Sequence, residues 1–191
     1  GYANSGGHPS VFSEHQGKCY YEAIEWVAQQ PWCTGKVGLN GVSFLAITQY
    51  HVAACQAYGG PPPSLGCISP WEGLTDPYHD TFTRRGLTEL GFPAFWWATE
   101  VKTAINGTPA DFVEVEGAIP TNFVEKHPFY DDFWQEKAAK LDEITVPMLV
   151  CGSFSDHGLH TMGSFRAFMQ ARSPHKWLYT HRTGKWDAFY S

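Results

Sequence analysis

Charge is what this sequence has least of. Of its 191 residues, 17% are Asp, Glu, Lys or Arg, against roughly 25% in an ordinary soluble domain, so much of the surface is uncharged or covered. Cations number 13 against 19 anions, and the longest basic run is the pair Arg84-Arg85. A nucleic-acid partner needs a basic stripe and an anionic membrane surface needs a basic cluster, so neither partner is expected. No apolar run approaches the ~20 residues of a membrane span. The five cysteines (Cys19, Cys33, Cys55, Cys67 and Cys151) are scattered, odd in number and free of C-x-x-C or zinc-like spacing. They read as free thiols in a reducing compartment, which favours the cytoplasm, and they imply no structural metal. No cofactor is expected either. The chain opens without Met in a turn-like stretch, Gly1-Tyr2-Ala3-Asn4-Ser5-Gly6-Gly7, and stops at Phe189-Tyr190-Ser191, so it reads as a piece of a longer protein.

Aromatic residues are what it has in plenty, 16% of the chain with eight Trp. Such rings fill a core or line an apolar pocket. The same apolar bias suits a buried interface in a homo-oligomer.

Residues 1–17 read as a loop. Ala23, Ile24, Trp26 and Val27 recur at helical spacing over Lys18 to Gln30, and Pro31 stops that run. Lys36 to Asn40 is a short strand, Phe44 to Tyr58 a buried helix ended by Gly59-Gly60-Pro61, and Leu65 to Ser69 a second strand closed by Pro70. Residues 73–140 hold most of the Trp and Phe with weak periodicity, and read as a helical insertion over a site, with one patch at Asp131 to Leu141. The alternation resumes with a strand at Val146 to Cys151, a helix at Leu159 to Arg172, and a strand at His175 to Thr180. This order predicts an α/β fold, a parallel sheet of four strands with helices on its faces.

The segment Val37-Gly38-Leu39-Asn40-Gly41-Val42-Ser43-Phe44-Leu45-Ala46 joins a strand to a helix through one Ser, with Gly two residues before it. That is the setting of a nucleophile elbow, although Leu45 stands where G-x-S-x-G has its last Gly, and Ala46 is the other small residue at hand. Ser43 is the candidate nucleophile and the N–H of Phe44 an oxyanion donor at the helix N-terminus. A Ser that merely caps a buried helix is the plain alternative. Asp156 follows the next strand but one, where an orienting acid belongs, or where a helix N-cap belongs. His181 follows the last strand, as the base or as a surface histidine. Ser, Asp and His in this order, each just past a strand, favour a triad for acyl transfer. His157 and His160 are expected on a solvated helix face, too close to Asp156 in sequence for the usual base geometry, and their H-x-x-H spacing lacks the partner set of a metal site. His175 falls at the wrong end of its strand. Glu72, at the end of the second strand, is a candidate for binding a substrate amine, or a loop charge. Trp71, Trp96 and Trp97 are candidates for the substrate pocket, or for the core.

At these residues the chain resembles the cocaine-esterase-like and X-prolyl dipeptidyl-peptidase-like serine hydrolases. The likeness runs through Gly1 to Gly7, Ala23-Ile24-Glu25-Trp26, Gln30-Pro31-Trp32-Cys33, Gly35 to Ala46, Ile68-Ser69-Pro70, His127 to Trp134, Val146 to Asp156, and His181 with Gly184-Lys185-Trp186. It implies an α/β-hydrolase domain with a helical cap before the acid, and a C-terminal jelly-roll domain that is not in this sequence. It implies hydrolysis of esters or amides, Xaa-Pro dipeptides included, with the family's Ser, Asp and His on Ser43, Asp156 and His181. Phe44 and Ala46 stand where the family usually has Tyr and Gly. Its first strands, and a second oxyanion donor from a Tyr hydroxyl, would precede Gly1. A non-catalytic binding module, or a catalytically impaired piece of the same fold, is the alternative function.

Overall fold

A computed structural model of the chain describes residues 2–84, 86–115, 117–156 and 158–191, with the backbone alone at residue 109. Gly1, Arg85 and His157, named above, lie outside these residues. Helix α1 (Glu14–Ala28) begins four residues before its expected start. The missed signal is the N-cap Ser13, whose Oγ accepts the Gln16 N–H at 3.2 Å and satisfies one orphan donor of the first turn, while Gln16 Oε1 accepts the N–H of Phe12, the residue before the cap, at 2.8 Å.

The chain then alternates strand β1 (Val37–Val42), helix α2 (Phe44–Ala53) and strand β2 (Leu65–Trp71). Strand β2 does not close at Pro70 but runs through it, with Pro70 opposite Gly41 and Trp71 opposite Val42. A proline fixes φ within reach of extended backbone and removes a single donor, which a strand tolerates near its end. Helix α2 stops five residues short of Tyr58, well before the Gly-Pro cluster expected to end it.

Between β2 and the next strand of the sheet the chain forms short pieces. A π-helical turn at Tyr78–Phe82 leads into an antiparallel pair, β3 (Thr83–Arg84) and β4 (Leu87–Thr88). Helix α3 (Gly91–Trp96) continues through a π-helical turn (Trp97–Val101) into α4 (Lys102–Ala104), and the short helices α5 (Phe123–Lys126) and α6 (Asp132–Lys137) follow. Pro109, Pro120 and Pro128, with Gly107 and Gly117 at positive φ, interrupt the run repeatedly, which is why no helical period is sustained in the sequence. The chain returns through β5 (Met148–Ser153), helix α7 (Thr161–Gln170), β6 (Lys176–His181) and helix α8 (Lys185–Phe189).

The four long strands make one parallel sheet in the order β1-β2-β5-β6, so the fold is α/β as expected. Leu39, Ile68, Met148 and Val150 from the strands are buried with Ile24 of α1, Tyr50 and Ala53 of α2 and Ala167 of α7. A second cluster, Val11, Phe12, Ile47, Leu74, Phe82, Phe123 and Trp134, ties the segment after β2 to α2. The register aligns Val42, Trp71, Cys151 and Tyr179 across the sheet. Beyond that row the strand ends are stitched together: Ser43 N–H donates to Trp71 O at 3.0 Å, Glu72 N–H to Cys151 O at 2.8 Å, and Phe154 N–H to His181 O at 3.0 Å. Four strand ends therefore share one rim. Among the described residues no helix is long and apolar enough to cross a membrane.

Helix α7 is held to the segment after β2 by buried polar contacts. Asp80 accepts two hydrogen bonds from Arg166, at 2.9 and 3.0 Å, and the backbone N–H groups of Thr75 and Asp76, at 2.9 and 3.0 Å. Gly163 makes room for this approach, since a Cβ there would lie 2.5 Å from Leu74 Cα and 2.6 Å from Thr75 N. Backbone atoms cannot swing aside as a side-chain tip does. Gly163→Ala is therefore expected to lower the unfolding free energy by about 1–3 kcal/mol or more, read as a drop in denaturant midpoint. Gly158→Ala, whose Cβ would meet nothing within 4 Å, is the control and should leave the midpoint in place.

Candidate active site

Ser43 sits between β1 and α2 at φ 61° and ψ −119°, a conformation an L-residue avoids at a cost of about 1–3 kcal/mol. The tight crossing of strand and helix holds it there. Gly41 allows that crossing, because a Cβ on it would lie 2.6 Å from Leu45 Cβ. One turn on, Ala46 faces Gly73, whose Cβ would come within 3.0 Å of Ala46 Cβ and 2.9 Å of the Tyr50 ring. Small residues are therefore needed at 41, 46 and 73. Leu45 is 61% exposed, so the last Gly of the usual motif is dispensable: the side chain there points to solvent. Phe44 is the first residue of α2, where a helical N–H has no carbonyl one turn back to bond.

Asp156 lies past the end of β5, and the chain after it makes a single tight turn. The N–H groups of Leu159, His160 and Thr161 all donate to Asp156 O, at 3.0, 3.1 and 3.3 Å. Residues four apart on such a turn share a face, and His160 Nδ1 meets Asp156 Oδ2 at 2.5 Å. The other nitrogen of the same ring, Nε2, lies 3.2 Å from Ser43 Oγ. The structure thus brings Ser43, His160 and Asp156 together in one chain of contacts. His160 is 1% exposed, not on a solvated face, and its closeness to Asp156 in sequence is what puts it in reach. The expectation that such closeness spoils the geometry fails, because it assumed an acid and a base on separate strand ends.

His181 is at the end of β6 as expected, but its ring does not join this group. Its Nε2 is 2.9 Å from Glu72 Oε1 and its Nδ1 3.1 Å from Thr183 Oγ1. The contact with Glu72 is close but too bent to be a hydrogen bond. Glu72 itself is 1% exposed, so it is neither a loop charge nor open to a substrate amine.

The charges around the site are unequal in their effects. Burial pulls the His160 imidazole below its ordinary value and the Lys185 ammonium adds to that, while the hydrogen bond and charge of Asp156 oppose it. Lys185 Nζ lies 3.4 Å from both Asp156 Oδ2 and His160 Nδ1. For Asp156, burial works against ionisation, but the hydrogen bond and charge of His160, with Lys185, win and hold the carboxyl below the usual range. The imidazole is thus neutral and the carboxylate ionised at neutral pH, the states in which Asp156 accepts from Nδ1–H and Nε2 is free to take a proton.

Ser43 and His160 open onto a cavity of about 340 Å³ lined mainly by apolar groups, among them Phe12, Phe44, Leu74, Phe82, Trp96 and Trp186. Of the four expected pocket residues only Trp96 lines it. The Trp71 indole instead packs against Tyr179 and Phe189 and donates to Ser69 Oγ, and Trp97 packs with Val101 and Ile105. Among the described residues no three His, Cys, Asp or Glu side chains converge as a metal site.

Comparison with known proteins agrees with this architecture. The family model of X-Pro dipeptidyl-peptidase (S15 family) matches residues 1–187. The cocaine esterase of Rhodococcus sp. (strain MB1 Bresler) is 39% identical over a match covering 71% of this chain and 29% of that enzyme. A CocE/NonD family hydrolase from Staphylococcus aureus is 37% identical with a TM-score of 0.83, over 99% of this chain and 32% of that one. A monoacylglycerol lipase from Paleococcus ferrophilus, 14% identical with a TM-score of 0.51 over 95% of this chain and 70% of that one, shares the fold alone. The chain thus spans about a third or less of the length of the esterase and the Staphylococcus hydrolase. With a strand-to-helix serine at the rim of a parallel sheet and a family match along nearly its full length, the chain belongs to the X-Pro dipeptidyl-peptidase (S15) family of hydrolases.

Proposed function

We propose that the protein is a serine hydrolase of esters or amides, with Ser43 as nucleophile, His160 as general base and Asp156 as the acid that orients it. The observation that carries this reading is the run of contacts from Ser43 Oγ to His160 Nε2, 3.2 Å, and from His160 Nδ1 to Asp156 Oδ2, 2.5 Å. In the first half-reaction Ser43 Oγ attacks the substrate carbonyl while its proton passes to His160 Nε2. The bond to the leaving alcohol or amine breaks, and the leaving group takes that proton. Water then attacks the acyl-enzyme, again giving its proton to His160, and the acid is released as Ser43 Oγ recovers it. The Phe44 N–H stabilises the oxyanion, a contribution worth about 10²–10³ in rate where such donors have been removed. The apolar cavity favours an uncharged acyl group. Esters of the kind named for cocaine esterase and the Xaa-Pro dipeptides named for the family are the substrate classes to compare.

Two tests follow. A fluorophosphonate should label wild type at Ser43, and Ser43→Ala should abolish the label. His160→Gln should lower kcat/KM by about 10²–10⁴-fold, the usual worth of a general base, whereas His181→Gln should stay within about tenfold, some 1.4 kcal/mol. The reverse ranking would reassign the base to His181. The pH profile gives an independent check. A base works only when neutral, so activity rises with pH through the pKa of His160, which burial and Lys185 hold down. The acid limb of kcat/KM should lie below the ordinary imidazole value of about 6.5, and Lys185→Met should move it upward.

A further inference from the structure

A second cavity adjoins the one that holds Ser43, and the reaction above does not use it. It has a volume of about 370 Å³, and Tyr2, Val11, Val101 and Ala104 line it. Phe44, Trp96 and Glu100 line both cavities, so the two meet at a shared border. That border is aromatic. The ring centroids of Phe44 and Trp96 lie 6.0 Å apart. Phe12, which lines the Ser43 cavity, has its ring centroid 5.8 Å from that of Phe44 and stacks on Trp96 at 5.5 Å. Rings in mutual contact of this kind hold one another in place.

The chain builds the second cavity from two segments. One is the continuous helical run from α3 through the π-helical turn into α4. Trp96, Glu100 and Ala104 recur along it at four-residue spacing and so share a face. The other is the N-terminal stretch that carries Tyr2 and Val11. Tyr2 pairs with Ile105 in an antiparallel bridge, and the Ala3 N–H donates to Ala104 O at 2.7 Å, which pins one segment to the other. Val11 and Val101 are buried. Among the described residues Glu100 is the only charged side chain that lines this cavity. It is exposed, so its stem borders the cavity while its carboxylate reaches water.

We propose that the second cavity takes the far end of the substrate's acyl chain, and that the protein prefers esters of linear, uncharged acyl groups too long for the Ser43 cavity alone. This rests on the reading of Ser43 and His160 given above. Of the two groups on the reacting carbonyl, the leaving group has to stay within reach of His160 Nε2 to take up its proton. His160, Leu159, Lys185 and Trp186 line the Ser43 cavity but not the second one. The second cavity begins instead at Phe44, the residue whose N–H is assigned to the oxyanion, so the acyl group is the one that runs toward it. Glu100 at the border disfavours a chain that ends in a carboxylate. Each methylene moved from water onto such walls strengthens binding by up to about fourfold. The remote end of the chain is held alike before and during reaction, so the gain lowers KM more than it raises kcat.

The test uses the intact protein and the p-nitrophenyl esters of butanoic, hexanoic, octanoic and decanoic acids, each below its aggregation limit. Wild-type kcat/KM should rise by about tenfold or more from butanoate to decanoate, mainly through KM. Ala104 is exposed and lines the second cavity alone. Ala104→Trp should therefore abolish the rise while leaving butanoate hydrolysis within about twofold of wild type. Thr103, exposed beside it, lines neither cavity, and Thr103→Trp should keep the rise. A wild-type profile that is flat or falls beyond butanoate would overturn the proposal. So would an Ala104→Trp variant that keeps the full rise, or one that loses butanoate and decanoate alike. Calorimetric titration of Ser43→Ala with 2-pentanone, 2-heptanone and 2-nonanone reads the same cavity without turnover. Kd should tighten with chain length, and adding Ala104→Trp should remove the tightening. Failure of the serine mechanism appears separately, as an unlabelled Ser43, and leaves the ketones to decide: equal affinity at every length would overturn the acyl-chain assignment.

Discussion

The backbone at Ser43 sits where few side chains go, and the surrounding packing is arranged to keep it there. Strand β1 and helix α2 cross so closely that a Cβ at Gly41 would collide with Leu45, and Gly73 admits Ala46 and Tyr50 on the other side. The local cost of about 1–3 kcal/mol is met by the buried contacts of Ile47, Tyr50, Val52 and Ala53 along α2. The same turn directs the hydroxyl beyond the sheet and leaves the first N–H groups of α2 open at its foot. Any relaxation of this turn would move the Ser43 hydroxyl and the Phe44 N–H together.

Once Ser43 is fixed, the parallel register decides what stands next to it. Each strand ends one step beyond its neighbour's last carbonyl, so Ser43, Glu72, the loop carrying Asp156, and His181 gather at one rim. Parallel pairing is what brings them there, since it puts every C-terminal strand end on the same side. The rim concentrates ionisable groups, of which Glu72 and His160 are buried. Burial holds His160 neutral and makes Glu72 resist ionisation, whereas Asp156 is ionised against its burial by the hydrogen bond and charge of His160 and by Lys185. Lys185, reaching in from α8, is the cation that stabilises the negative charge of Asp156 while holding down the basicity of His160.

The aromatic segment after β2 serves both packing and pocket. Phe123 and Trp134 are buried in the cluster beneath it, Phe82 belongs to that cluster and also lines the cavity, and Phe92, Phe95 and Trp96 face the cavity beside Ser43. The bidentate Asp80–Arg166 pair fastens this segment to α7, the helix that follows His160. Packing of the cavity wall and placement of the imidazole are therefore linked through one helix.

The alternation of apolar strands with helical runs was enough to predict a parallel α/β sheet, because a β-strand and an amphipathic helix each write a short-range period into the chain. Ser43 was legible for the same local reason: Gly41 and a strand-to-helix switch flank it, and both are contiguous in sequence. Asp156 was legible from its place after a strand. Which imidazole meets the Ser43 hydroxyl was not. His160 and His181 both follow Asp156, and chain order alone favours the one at a strand end. Only the tertiary structure shows that one tight turn carries His160 onto the face of Asp156 and up to Ser43, while the β6 register delivers His181 to Glu72. Burial decided the remainder, since Glu72 and Trp71 read as site residues in a linear chain, and what separates them from Trp96 is which side of a folded wall each side chain reaches.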